Sequence, residues 1–479
     1  MHVYEYAAHD AVGLATLIRQ GDVTAAEVEA AARRALDAVN PDLNALTLPV
    51  FDPAPDADPS GPLAGVPMVV KDSGPVVRGI PFTLGSRALR GAVAGCDLEV
   101  MRRFRAAGLV ALGQSTAPEL GLNFATESRR YGATRNPWNL DRGVGGSSGG
   151  SAALVAAGAV PIGHGNDGAG SLRVPASCCG LVGLKPSRGR VPVGPSGSSG
   201  SSGGGVTGEV GFGQVYEFGL TRTVRDCAAL LDAVSGPIIG EKYAAAPPAV
   251  PYPTSLSTDP GRLRVAVSTL AGVPVDAQVA DAAITAARVL EWIGHDITEA
   301  APAVCEDDVV EACLLTAYST GAAMLRAPIR PNPDLLESVS RVVLQEAAAA
   351  RMPDVAAAID AQGRVTRAVG DFFARHDLLV TPTVAQLPPP HGTLDYDAAG
   401  HTVRSWIRRI LEFGPFTAAY NVSGNPAISL PLAQSREGLP IGVQLVAAPG
   451  REDLLLAVAA QLEQAVPWRD RVPPLSADG

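Results

Sequence analysis

The sequence predicts an α/β protein in which strands and helices alternate along a single domain. Three observations carry that expectation. Apolar residues make up 47% of the 479-residue chain and charged residues 18%, a balance that buries a large core. Aromatics are only 5% and alanine is abundant, as in helices packed closely on a sheet. Short apolar runs of strand length alternate with amphipathic helical spacing, which argues for layers rather than a sandwich.

The elements follow in order. Thr24 and Glu27 form a Ser/Thr-x-x-Glu capping box, Val28, Ala32, Leu36 and Val39 continue at helical spacing, and Pro41 is expected just past the helix end. FDPAPDADPSGP (51–62) reads as a loop, GVPMVVKDS (65–73) as a buried strand ending at Lys71, DLEVMRRFRAAG (97–108) as a helix and LVALGQST (109–116) as a strand. Two Gly/Ser knots, GGSSGGS (145–151) and GNDGAGS (165–171), flank an Ala-rich helical run and an expected AVPI strand (159–162). VGPSGSSGSSGGGVTG (193–208) is low-complexity. Helices are expected over 220–236, 275–294, most of 306–378 and 451–466, with strands over 262–269, 377–384, 425–432 and 440–447. No internal repeat or linker divides the chain, so one domain over 1–479 is expected.

Composition excludes several classes. A net charge of −10 without a Lys/Arg cluster gives no electrostatic footprint for nucleic acid or an anionic membrane. No apolar run reaches the ~18–20 residues of a membrane span, and the opening MHVYEYAAHDAVGLATLIRQ lacks a cationic lead before an apolar core. The expectation is a cytoplasmic protein whose six scattered cysteines (Cys96, Cys178, Cys179, Cys227, Cys305, Cys313) are free thiols.

Familiar motifs fit poorly. GHGNDG (163–168) matches G-x-G-x-x-G, but Pro175 interrupts the helix that should follow, and the region near residue 188 is basic. GGSSG (145–149) matches a nucleophile elbow, yet GATRNPWNLDRGV before it is no apolar strand, and His295, His376, His391 and His401 have no distinguishing surroundings. There is no H-E-x-x-H and no C-x-x-C pair, so no metal or cofactor is expected.

What remains is serine with lysine. A serine hydroxyl needs a base, and a Ser–Lys pair is an accepted variant of triad logic. Burial lowers a lysine pKa from ~10.4 toward ~7–8. Lys71 directly follows PMVV, where desolvation acts, although a lysine at a strand end also snorkels to water. Gly168, Ala169 and Gly170 can aim successive N–H groups at one point just before Ser171, as an oxyanion nest or as a plain turn.

Taken together, GGSSGGSAA through GNDGAGSLRVPAS to CCGLVGLKPSRGRVP (145–192) resembles the amidase signature family. LAGVPMVVKDS, STAPELGLNFATE, YGATRNPWN, NVSGNPAISLP and PIGVQLVAAPGREDLLL extend the resemblance over most of the chain. It implies a central mixed β-sheet covered by helices on both faces, with a catalytic core about 63–236. It implies a nucleophile at Ser171, a relay serine at Ser147 behind a cis Gly146–Ser147 peptide, and a base at Lys71. The oxyanion would be held at Gly168, Ala169 and Gly170. Asp167, Arg173 and Lys185 are read as supports. Many members carry T-D-x-G-G-S where this chain has Asn166-Asp167-Gly168-Ala169-Gly170-Ser171, and the Gly/Ser-rich 196–205 insertion is expected at the rim.

HGNDGAGS, GATRNPWN and GREDLLL look most similar to the subgroup that hydrolyses the cyclic dimer of 6-aminohexanoate. The implied substrate is a small or medium amide, linear or cyclic, including cyclic ω-amino-acid oligomers. Its pocket residues are expected within about 301–365, where the match is poorest. No cofactor is implied, and a homodimer is compatible with the family. One alternative is the glutamine-hydrolysing component of a tRNA-dependent amidotransferase, which needs partner chains. The other is an inactive scaffold, against which Lys71, Ser147 and Ser171 all argue.

Overall fold

The computed structural model describes residues 1–193, 211–327 and 330–477. Ten strands form its central sheet: β1 (Pro67–Lys71), β2 (Val110–Ser115), β3 (Ile162–Asp167), β4 (Val182–Lys185), β5 (Tyr216–Thr221), β6 (Arg264–Val267), β7 (Asp296–Glu299), β8 (Leu378–Pro382), β9 (Ala427–Gln434) and β10 (Pro440–Ala447). Their order across the sheet is β7-β6-β8-β10-β9-β4-β5-β3-β1-β2. The two ends are parallel, with β1 between β2 and β3 and β6 between β7 and β8. The middle is antiparallel, from β8 through β10, β9, β4 and β5 to β3. Helices cover both faces, so the expected α/β class with a mixed sheet is observed. No helix among the described residues is long and apolar enough to cross a membrane, and no disulfide joins the six cysteines, all of which are described.

Local chemistry explains the elements. All five residues of β1 are buried, as parallel strands covered on both faces require. Helix Ala25–Leu43 opens on its capping box: the Glu27 N–H donates to Thr24 Oγ1 (3.2 Å) and the Thr24 N–H to Glu27 Oε2 (2.9 Å). Helices Glu306–Arg326, Ser338–Ala349 and Met352–Phe373 fill the expected helical segment.

Three boundaries differ from the expectations. Pro41 lies inside its helix, which continues to Leu43 and stops at Asn44 in the left-handed region (φ +52°). Pro41 removes only one N–H from the last turn. That end is closed by Asn44 N–H to Asn40 O (2.8 Å), and by Asn40 Oδ1 accepting from Ala45 (2.9 Å) and Leu46 (3.0 Å). The helix expected from residue 220 starts at Val224, because Tyr216–Thr221 pairs with β3 as a strand.

The third difference concerns the segment between the two knots. The strand there is Ile162–Asp167 rather than 159–162, so the second knot begins as strand. Helix Gly149–Ala156 lies so close that a Cβ on Gly163 would sit 2.9 Å from Ser151 Cβ, and one on Gly165 2.6 Å from Ser148 Oγ. These glycines serve close approach. The low-complexity stretch, Val193 apart, and the 196–205 insertion lie outside the described residues.

Overpacking of this kind costs about 1–3 kcal/mol. Gly165→Ala is therefore expected to lower the urea midpoint with the m-value unchanged; a wild-type midpoint would show that the strand and helix are not so tightly apposed.

Candidate active site

Lys71 ends β1, opposite Ser115 of β2, and is 1% exposed. Its Nζ lies 2.8 Å from Ser147 Oγ, 3.0 Å from Ser148 Oγ and 2.6 Å from Asn166 Oδ1. All three partners can accept from the amine. Asn166 turns its Nδ2 to Glu217 Oε1 (3.4 Å), leaving Oδ1 to accept from Lys71. Ser148 Oγ donates to Asn166 O (3.2 Å), so it too accepts from Lys71. An ammonium would donate to all three; a neutral amine spends its two hydrogens on Asn166 and Ser148 and turns its lone pair to the Ser147 hydroxyl. Burial pulls the Lys71 pKa down to about 7, against the opposing pull of Glu217, Asp167 and Asp72. Asp72 is itself held by donors from Thr83, Leu84 and Gly85.

Ser147 follows a cis Gly146–Ser147 peptide at the start of helix Gly149–Ala156. Thr126 fastens this turn, its Oγ1 donating to Gly145 O (2.8 Å) and accepting from Gly149 N–H (3.1 Å). Ser148 N–H donates to Ser171 O (3.2 Å), which joins the two knots.

The nest closes the other side. β3 ends at Asp167, and Gly168, Ala169 and Gly170 turn the chain into Ser171, with Gly170 at φ +147°. Among the described residues, no hydrogen bond is donated by the N–H groups of Gly168, Ala169, Gly170 or Ser171. Their carbonyls are drawn the other way: Ala169 O accepts from Thr417 Oγ1 (2.5 Å) and Gly170 O from Val174 N–H (2.7 Å). Beneath the turn, Arg173 grips Asp167 through two bonds of 3.0 Å, both side chains fully buried. Arg173 also reaches Thr417 O, Gln444 and Asn421, and Asn421 Nδ2 returns to Asp167 O (2.9 Å). Burial raises the Asp167 pKa, but Arg173 outweighs it and holds the acid at about 2. Lys185 donates to Pro186 O (2.8 Å) and lies 3.6 Å over the Tyr216 ring; burial holds its amine well below the usual lysine range.

The structure thus brings Lys71 and Ser147 into contact and places the nest beside them. Ser171, 5% exposed, adjoins through its backbone, but the implied Ser147–Ser171 hydroxyl contact is not formed: among the described residues Ser171 Oγ makes no hydrogen bond. Sequence reasoning misses Ser148, Asn166, His164 and Glu217. Asn166 has a visible signal, because it departs from the family's Thr. Glu217 has none: it reaches the site through the β3–β5 register, directly opposite Asn166.

The geometry sets a buried lysine amine against paired serines, beside a turn with free amides, on an α/β scaffold. The chain belongs to the amidase signature family, whose sequence profile, Amidase, matches residues 27–456. It is an amidase, a hydrolase of carbon–nitrogen bonds other than peptide bonds. It is 40% identical to the 6-aminohexanoate-cyclic-dimer hydrolase of Paenarthrobacter ureafaciens and 41% identical to that of Pseudomonas sp. strain NK87, each over 97% of this chain and 96% of the relative. A solved 6-aminohexanoate cyclic dimer hydrolase superposes with a TM-score of 0.89 at 39% identity, covering 98% of this chain and 99% of that one.

Lys71 also ties stability to pH. Its amine titrates near 7 when folded and near the ordinary 10.5 when unfolded, so between these values the unfolded chain binds the extra proton. Wild-type stability is therefore expected to rise with pH across that window relative to Lys71→Met, by up to about 1.4 kcal/mol per unit. Denaturant titrations of both proteins at pH 7, 8 and 9 check this; a constant difference would mean the buried amine is not depressed.

Proposed function

We propose that this chain is a free-standing amide hydrolase working through an acyl-enzyme on Ser171, with Ser147 as relay and Lys71 as base. The observation that carries the proposal is the buried Lys71 amine 2.8 Å from Ser147 Oγ, with Ser148 Oγ and Asn166 Oδ1 placed to take two of its hydrogens. The Ser147 hydroxyl gives its proton to the Lys71 lone pair and takes one from Ser171, whose oxygen attacks the amide carbon. The N–H groups of residues 168–171 receive the oxyanion. Lys71 then returns its proton through Ser147 to the leaving nitrogen, the C–N bond breaks, and water releases the acyl group by the same relay. The catalytic turn closes when Ser171 rotates toward Ser147. No step calls on a cofactor.

The substrate class is a small or medium amide, linear or cyclic, with a cyclic ω-amino-acid oligomer as the first candidate. Support comes from the near full-length similarity to hydrolases named for the cyclic dimer of 6-aminohexanoate, one such hydrolase having been solved with substrate. The glutamine-hydrolysing reading has weaker support: the solved glutamyl-tRNA(Gln) amidotransferase chain of Thermotoga maritima shares the fold at 22% identity and a TM-score of 0.74.

Incubation with a sulfonyl or phosphonyl fluoride, followed by peptide mapping, is expected to place the adduct on Ser171; modification of another serine instead removes the nucleophile assignment. In a screen of the 6-aminohexanoate cyclic dimer, linear amides, aryl amides and glutamine, the purified chain alone should turn over the cyclic amide. Activity on glutamine alone, and only with added partner chains, would reverse the substrate choice.

Since the neutral amine is the active form, kcat/KM is expected to fall about tenfold per pH unit below about 7 and to level off above it. Lys71→Ala should lose on the order of 10²–10⁴-fold in rate; a full rate in that variant would eliminate the lysine base.

A further inference from the structure

We propose that Glu217 is a positioning residue that aims the Lys71 lone pair at Ser147, acting through Asn166 on the amine and through His164 on the lysine backbone. The proposal rests on the reading of Lys71 as the base.

The geometry is a closed loop. Glu217 Oε1 accepts from Asn166 Nδ2 (3.4 Å), and Asn166 Oδ1 accepts from Lys71 Nζ (2.6 Å). Glu217 Oε2 lies 2.8 Å from His164 Nε2, and His164 Nδ1 accepts from the Lys71 backbone N–H (3.3 Å). That acceptor role puts the imidazole hydrogen on Nε2, where it donates to Glu217. One carboxylate therefore fixes both ends of Lys71. His164 is wholly buried, its ring edge-on to Phe104 at 5.7 Å.

The amide of Asn166 is the sensitive part. Its oxygen and nitrogen are nearly the same shape, so only its partners decide which faces Lys71. Glu217 accepts and cannot donate, so it selects Nδ2 and leaves Oδ1 for the lysine. With the amide turned over, Nδ2 would donate into the amine lone pair, and Ser147 would lose its acceptor. A carboxylate 6% exposed is costly to bury. Glu217 has no Arg or Lys hydrogen-bond partner among the described residues, and its two bonds serve this loop alone.

The charged groups around Lys71 are Glu217 from β5, Asp167 from β3 and Asp72 directly after it in sequence, with the His164 ring as neutral neighbour. Asp167 is committed to Arg173 and Asp72 to the Thr83–Gly85 backbone. Glu217 is thus the acid whose removal changes both the aim of the amine and the field on it.

The test is the pH dependence of kcat and kcat/KM for Glu217→Gln, with Lys71→Ala alongside. The glutamine removes the charge that favours the ammonium and no longer selects one face of Asn166. The expected result is a kcat lower by on the order of 10–100-fold, KM within about twofold, and an acid limb of kcat/KM displaced downward by roughly one pH unit. A merely structural role would not move the limb; a limb that stays in place or moves upward overturns the proposal. Asn166→Leu, which leaves the β3–β5 pairing intact, should give the same kcat loss with KM held, and serves alone if Glu217→Gln does not fold. Unchanged kcat in Asn166→Leu also overturns it. If Lys71→Ala keeps its rate, the lysine base itself fails; if Lys71→Ala is inactive while Glu217→Gln matches wild type, only the role of Glu217 fails.

Discussion

An amine held out of water controls this molecule. Lys71 occupies the last position of a five-residue strand that is buried throughout, and among the described residues its nitrogen hydrogen-bonds with two hydroxyls and one amide oxygen. Removing an ammonium from water is costly unless it is paired or gives up its proton. No carboxylate accepts a hydrogen bond from Lys71 among the described residues, so the proton is the part that gives way. In the sheet β1 lies between β2 and β3, and Ser147 and Ser148, just before helix Gly149–Ala156, reach the Lys71 amine.

The second requirement is proximity. Four glycines of this region lie so close to their neighbours that a Cβ would crowd them. A Cβ on Gly149 would lie 2.2 Å from Thr126 Oγ1, and one on Gly150 would lie 2.4 Å from Thr116 Oγ1; Gly163 and Gly165 meet the helix from below. What looks like conformational freedom in the composition is mostly contact. The exceptions are Gly145 (φ +74°) and Gly170, whose positive φ turns the nest, with Thr417 pressed against it. Asp167, Arg173, Asn421 and Gln444 hold that turn from within, so distant parts of the chain frame a loop of four residues.

The site is legible where chemistry and local pattern coincide. An apolar run ending in lysine, a serine pair in a glycine knot and a small-residue turn before Ser171 each state their character within a few residues. The core strands and most helices are legible for the same reason, through periodicity and caps. The errors lie where tertiary contact overrides local signal. Gly163 and Gly165 read as loop until the helix above them is known, and Pro41 reads as a stop until the bonds around Asn40 are seen. Glu217 and His164 are invisible, because their partners are set by strand register. Asn166 stands out only as a departure from a pattern; its amide contact with the lysine arises from the pairing of β1 with β3.

The central claim is that the amine of residue 71 gives up its proton near pH 7, so that its uncharged form is populated at neutral pH. The most direct measurement is an NMR titration of the protein labelled with 15N on lysine side chains, the Lys71 resonance being identified by its absence in Lys71→Met. A midpoint near 7 is the expected result, reflecting burial that outweighs the neighbouring carboxylates. A midpoint near the ordinary 10.5 would mean that Lys71 is an ammonium in the working enzyme, unable to accept a proton from Ser147.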